Sequence, residues 1–78
     1  MKKILIADDE KDTLVFLQRG LNKHGFEVAC AYDGLQAKAI LEKENFDLII
    51  LDLVMPNMGG WQVLEWLRNE KKITAPVI

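Results

Sequence analysis

Apolar positions along the chain fall into two alternating rhythms. Short runs, Ile4-Leu5-Ile6-Ala7 and Leu48-Ile49-Ile50-Leu51 unbroken and Phe26 to Ala31 interrupted only by Glu27, have the length and side chains of strands. The last, bounded by Asp47 and Asp52, reads as a strand buried on both faces. Between these runs the apolar residues recur at helical spacing: Leu14, Val15, Leu17 and Leu21; then Leu35, Ala39 or Ala37, Ile40 and Leu41; then Val63, Leu64 and Leu67. Asp12 is placed to cap a first helix that runs to Lys23, with Gly25 as the stop. Asp33-Gly34-Leu35-Gln36 has the spacing of a capping box and opens a second helix that Asn45 ends. Gly59-Gly60 starts a third helix, Trp61 to Glu70. Lys71, Lys72 and Thr74 then make a loop, and Ala75-Pro76-Val77-Ile78 reads as the opening of a fourth strand, where the sequence stops.

Strands alternating with helices of this length predict βαβ units, hence an α/β fold with an open parallel sheet and helices on both faces. With right-handed crossovers, placing strand one between strands two and three puts the first helix on one face and the other two on the opposite face. The predicted order is 2-1-3-(4), incomplete, with a topological switch point between strands one and three. Composition adds bounds rather than detail. The 78 residues, half of them hydrophobic and 28% charged, predict one domain at most. A net charge of −2 gives no basic footprint for nucleic acid. The single cysteine excludes an internal disulfide and suits a reducing cytoplasm. No run is long enough for a signal peptide core or a membrane span.

The candidate chemistry lies at the switch point, where Asp8 and Asp9 follow strand one and Asp52 follows strand three. Three carboxylates in one small volume repel one another, so such a cluster needs a cation or retained protons. An oxygen-rich site on short loops suits Mg²⁺, which keeps several of its waters, and no His or Cys lies nearby to favour zinc. A carboxylate beside Mg²⁺ is able to attack a phosphoryl group and form an aspartyl phosphate. The plainer alternative is that Asp8 and Asp12 cap the first helix while Asp52 merely ends a strand.

Lys2-Lys3-Ile4-Leu5-Ile6-Ala7-Asp8-Asp9-Glu10, Asp47-Leu48-Ile49-Ile50-Leu51-Asp52 and the Met55-Pro56…Gly60 turn together resemble the receiver domain of two-component response regulators. The resemblance covers the whole chain and implies a flavodoxin-like (CheY-like) fold. It implies that Asp52 is the phospho-acceptor for a sensor histidine kinase. It also implies that Asp8, Asp9, Asp52 and the backbone carbonyl of Val54 hold Mg²⁺. On this reading the chain is a phosphoprotein of signal transduction rather than an enzyme. The family further has a Thr or Ser ending strand four and a Lys ending strand five, which link phosphorylation to movement of the distal face. Neither has a counterpart in residues 1–78, so the sequence reads as a partial receiver domain with impaired switching. Thr74, Lys71 and Lys72 fall at the opposite rim. Ala7 and Gly59 stand where the family often has Val and Asp. Val54 offers no polar side chain to position a hydrolytic water, which predicts slow self-dephosphorylation.

Other residues read more plainly. Pro56 fixes its own φ and biases Met55 towards an extended backbone, shaping the loop beside Asp52. Cys30 is a packing residue, His24 a cation at a helix end, and Lys11 a solvated charge. Trp61 and Trp66, five residues apart, cannot share one stripe, so one is expected inside and one outside. An incomplete sheet with an open edge predicts a homodimer through the edge near Val77-Ile78. Two competing functions remain at this point: an interaction module that keeps the fold without phosphotransfer, and a Mg²⁺-dependent phosphatase with an aspartyl nucleophile. The second normally needs an Asp two residues after the nucleophile, where this chain has Val54.

Overall fold

The computed structural model describes residues 2–71 and 76–77. The elements follow in the order β1 (Lys3–Ala7), α1 (Lys11–Lys23), β2 (Glu27–Ala31), α2 (Gly34–Lys43), β3 (Leu48–Leu51) and α3 (Gly60–Asn69). The strands form one parallel sheet in the order β2-β1-β3. β1 is central, and its last residue, Ala7, stands opposite both Ala31 and Leu51. Val77 makes a parallel bridge to Ile49, and the Ile49 N–H donates to the Pro76 carbonyl at 2.9 Å, so the chain returns beside β3 as the fourth-strand reading expects. Ala75 and Ile78, the other residues of that expected strand, lie outside the described residues, as do Lys72 and Thr74.

Side-chain alternation along β1 divides the apolar residues between two faces. Leu5 and Ala7 join Ala31, Ile49, Leu51, Ala37 and Leu41 of α2, and Val63, Trp66 and Leu67 of α3 in the larger core, with Phe46 and Met55 completing it. Ile4 and Ile6 meet Leu14 of α1 on the other face, with Leu17, Leu21, Leu48 and Ile50 packed around them. Helix α1 therefore covers one face and α2 and α3 the other, as right-handed crossovers require. Because α1 stands alone among the described residues on its face, only Ile49 and Leu51 of β3 are buried, while Leu48 and Ile50 are half-buried. The expectation of burial on both faces holds for one face.

Several local readings shift by a residue or a turn. Helix α1 begins at Lys11 with Glu10 as a cap that makes no side-chain hydrogen bond, so Asp12 sits in the first turn and favours the helix dipole from there. The inward stripe of α1 is Leu14, Leu17 and Leu21. Val15 is turned about 100° from Leu14 and is exposed. In α2 the buried alanine is Ala37, and Leu35 is exposed. The Asp33 side chain caps α2 as expected, accepting the Gln36 N–H at 2.8 Å. The Gln36 Oε1 accepts from Tyr32 N–H at 2.7 Å instead of from Asp33, so the return bond lands one residue early. Helix α2 ends at Lys43 with Glu44 as its cap, just ahead of Asn45. Gly25 has φ 89°, which a glycine adopts without strain. The bonds Gly25 N–H to Asn22 and Phe26 N–H to Leu21 close α1 around it. Of the two tryptophans, Trp66 is buried under the Lys38 ammonium, 5.4 Å from its ring, and Trp61 is exposed.

Candidate functional site

The parallel register places the site. Ala7 and Leu51 are partners, so the next residues, Asp8 and Asp52, emerge side by side at the carboxyl edge of the sheet. Two further ladder bonds fix them: the Asp8 N–H donates to the Ala31 carbonyl at 3.1 Å, and the Asp52 N–H to the Ala7 carbonyl at 3.0 Å. Asp9 follows on the turn into α1. One oxygen from each of Asp8, Asp9 and Asp52 lies within 4.8 Å of the other two, so the structure brings together all three acids singled out in the sequence. Asp8 and Asp52 are half-buried and Asp9 is exposed. Asp8 Oδ1 accepts the Glu10 N–H at 3.0 Å, and Asp52 Oδ1 the Val54 N–H at 3.3 Å, which orients both carboxylates locally.

The loop from β3 to α3 forms the next wall. Met55 is buried in the larger core, while Val54, two residues past Asp52, is 80% exposed. The Met58 N–H donates to the Pro56 carbonyl at 2.7 Å, and the Gly60 N–H to Leu53 at 3.2 Å. At the start of α3 the Gln62 Oε1 accepts the Gly59 N–H at 3.1 Å, half of a capping box that glycine cannot return. A Cβ on Gly60 would lie 2.0 Å from the Asp52 carbonyl oxygen. The glycine pair that opens the third helix in the sequence is here a close approach of α3 to the backbone that follows β3.

Sequence reading missed one connection at this end. The Asp33 Oδ2 accepts from Asn57 Nδ2 at 2.8 Å, and Gly34 lies so near the Met58 carbonyl that a Cβ would sit 1.9 Å away. These hydrogen bonds, with Gln36 first and Asn57 second, hold the Asp33 carboxyl below the ordinary carboxylate range. Asn57 has φ 68°, in the left-handed region, and that need for positive φ was the available signal in a turn of Pro, Asn and Gly. Lys11 leans over the Tyr32 ring, 5.7 Å from its centre, on the acid side of the sheet.

Other candidates stand away from the acids. His24 caps the far end of α1. Cys30 lies half-buried on β2, where desolvation pushes its thiol pKa up, in keeping with a packing role. The ion pairs of Lys3, with Glu44 at 2.6 Å and Glu27 at 3.8 Å, tie the opposite rim. The bond to Glu44 raises the Lys3 pKa.

The donor set fits a small hard cation. All three groups are carboxylates, and around Mg²⁺ bound at about 2.1 Å, oxygen ligands stand roughly 3 Å apart when adjacent and roughly 4 Å when opposite. The three carboxylate oxygens, within 4.8 Å of one another, stand close to that spacing. Waters would complete the shell of an ion held there.

A parallel α/β sheet in the order β2-β1-β3, with three acids gathered at its switch point, narrows the chain to open α/β domains with a candidate cation site. The profile of the response regulator receiver domain matches residues 4–78, and the chain belongs to that family. It is 40% identical over 70 residues to the transcriptional regulatory protein CusR of Escherichia coli K12, covering 90% of this chain and 31% of CusR. The receiver domain of Francisella response regulator 1452 superposes with a TM-score of 0.93 at 31% identity, over 99% of this chain and 63% of that one. The response regulator TrrA of Thermotoga maritima, in complex with Mg²⁺ and BeF, gives 0.86 at 38% identity, over 92% and 63%. A structure of TrrA with the histidine kinase ThkA gives 0.88 at 36% identity, over 99% and 66%. The chain thus spans about a third of CusR and under two thirds of the Francisella receiver.

Proposed function

We propose that this chain is the phospho-accepting part of a response regulator, taking a phosphoryl group onto Asp52 from the phosphohistidine of a sensor kinase. The observation that carries the proposal is the convergence of Asp8, Asp9 and Asp52 at the sheet edge. A divalent cation bound there offsets charge on the transferring oxygens. Asp8 and Asp9 would hold it with Asp52 and the Val54 carbonyl. The Asp52 carboxylate is the nucleophile: its oxygen bonds to phosphorus as the bond from phosphorus to the imidazole nitrogen breaks, and the imidazole leaves with the electron pair. The relatives support the cation and the kinase, since TrrA has been seen with Mg²⁺ and BeF and with ThkA. The chain acts as an acceptor and not as an enzyme with turnover of its own. Val54, apolar and exposed, leaves no side chain to orient a hydrolytic water, so the aspartyl phosphate persists.

We place this activity in the cytoplasm. No helix among the described residues is long and apolar enough to cross a membrane. As a further partner we propose a second copy of the chain, through the β3 side of the sheet, where the described residues pair at one bridge, Ile49 with Val77. A monomer in sedimentation at micromolar concentration excludes that contact.

Incubation with acetyl phosphate and Mg²⁺, followed by intact mass measurement, tests the main proposal. One added phosphoryl group, absent without Mg²⁺ and in Asp52→Asn, is the expected result. An unmodified wild-type protein would leave an interaction module without phosphotransfer as the function.

A further inference from the structure

Asp33 lies outside the acid trio and divides its carboxylate between two elements. Oδ1 caps α2 through the Gln36 N–H, and Oδ2 accepts the Asn57 amide, both at 2.8 Å. Next to it, Gly34 rests against the Met58 carbonyl at a distance no side chain permits. Two successive residues of the β2–α2 corner therefore grip two successive residues of the β3–α3 loop. Asn57 meets the grip in a left-handed conformation, φ 68°, which Asn adopts more readily than other residues with a Cβ. The same loop is pinned at Met55 in the core and closed by the Gly60 to Leu53 bond. Residues 52–54, which carry the acceptor carboxylate and the Val54 carbonyl, run from the end of β3 into this pinned segment.

We infer that Asp33 and Asn57 are positioning residues for the acid site, their side-chain bridge setting the course of the loop on which Asp52 and the Val54 carbonyl face a divalent cation. The inference rests on reading that site as a Mg²⁺-dependent acceptor. Neither side chain touches the cation or the phosphoryl group. Their effect passes through the backbone of residues 54–58. Groups that orient the ligands of a metal commonly change its affinity without contacting it.

Three variants separate positioning from general stability. Asn57→Gly tolerates the left-handed backbone and removes the side-chain amide together with its methylene. Asp33→Ser keeps a good helix cap and removes the oxygen that reaches Asn57. Asp33→Asn retains both bonds, because its amide donates to a flipped Asn57 amide oxygen while its own oxygen caps the helix. Mg²⁺ is titrated into each protein and followed by the amide resonances of Asp52 and Val54, with thermal melts recorded in parallel and acetyl phosphate labelling of the wild type as control. Asn57→Gly and Asp33→Ser should bind Mg²⁺ about three- to tenfold more weakly, and Asp33→Asn within about twofold of wild type. Affinity unchanged in the first two variants, or lost only in proportion to their unfolded fraction, overturns the inference. A wild-type protein that neither binds Mg²⁺ nor labels overturns the function proposed for the site, and the positioning role with it.

Discussion

At Gly60 a Cβ would meet the Asp52 carbonyl oxygen at 2.0 Å, and at Gly20 it would meet nothing within 4 Å. The two glycines thus give opposite predictions for the same substitution. Gly60→Ala forces α3 and the acceptor strand apart and should cost about 2 kcal/mol or more, read as a lowered melting temperature and reduced labelling of Asp52. Gly20→Ala, in the exposed middle of α1, should stabilise by about 0.5–1 kcal/mol through helix propensity, with labelling unchanged. The sequence offers no way to tell the two substitutions apart. It shows which residue types have no Cβ, and only the fold shows which carbonyl stands where the Cβ would be. The acids are the reverse case. Asp8 and Asp52 were legible because each ends an unbroken apolar run, with Asp9 next to Asp8, and a parallel sheet puts such run ends on one edge.

Among the elements, α1 shows how far periodicity reaches. Leu14, Val15, Leu17 and Leu21 all fit a helical stripe broad enough for two neighbours, yet only Leu14 is fully buried, and Phe16 is 77% exposed. The stripe narrows because α1 faces the sheet alone among the described residues. Leu14→Ala should therefore cost about 2–5 kcal/mol in a denaturant titration, whereas Phe16→Ala should fall within about 0.5 kcal/mol of wild type. Helix α2 is set by its cap, which the sequence announced in Asp33 and Gln36, although the return bond to Tyr32 was not visible without the turn geometry. The cap carries a pH dependence. The Asp33 carboxyl is depressed below its ordinary 3.8, so its charge contributes stability above that value and loses the contribution as pH falls through the folded-state pKa. The melting temperature of wild type should exceed that of Asp33→Asn at neutral pH, and the gap should close below pH 3.8.

For the molecule as a whole, the larger core lies under α2 and α3 and the smaller one under α1. The strand order was read by setting strand one between strands two and three, the order that makes the two acid-bearing strands neighbours. What could not be read was the latch between the β2–α2 corner and the β3–α3 loop, since hydrogen bonds between residues 24 apart leave no periodic trace. Unequal cores predict unequal opening. Amide exchange in α1 should be faster than in β1 and α3, the helix separating from the sheet while the larger core stays closed. A uniform exchange rate across α1 and α3 would show the two faces to be equally held.

The pairing of Ala7 with Leu51 has one more consequence. Should β3 slide by a single residue against β1, Asp52 moves about 3.3 Å along the edge and its side chain turns to the other face. The three anions then no longer meet, and a divalent ion loses its seat. A divalent cation held by all three acids would therefore proofread the alignment, rewarding one offset of the strands and none of its neighbours. Saturating the wild type at about 100 times its dissociation constant should add about 2.7 kcal/mol to unfolding, and Asp52→Asn should forfeit most of that gain.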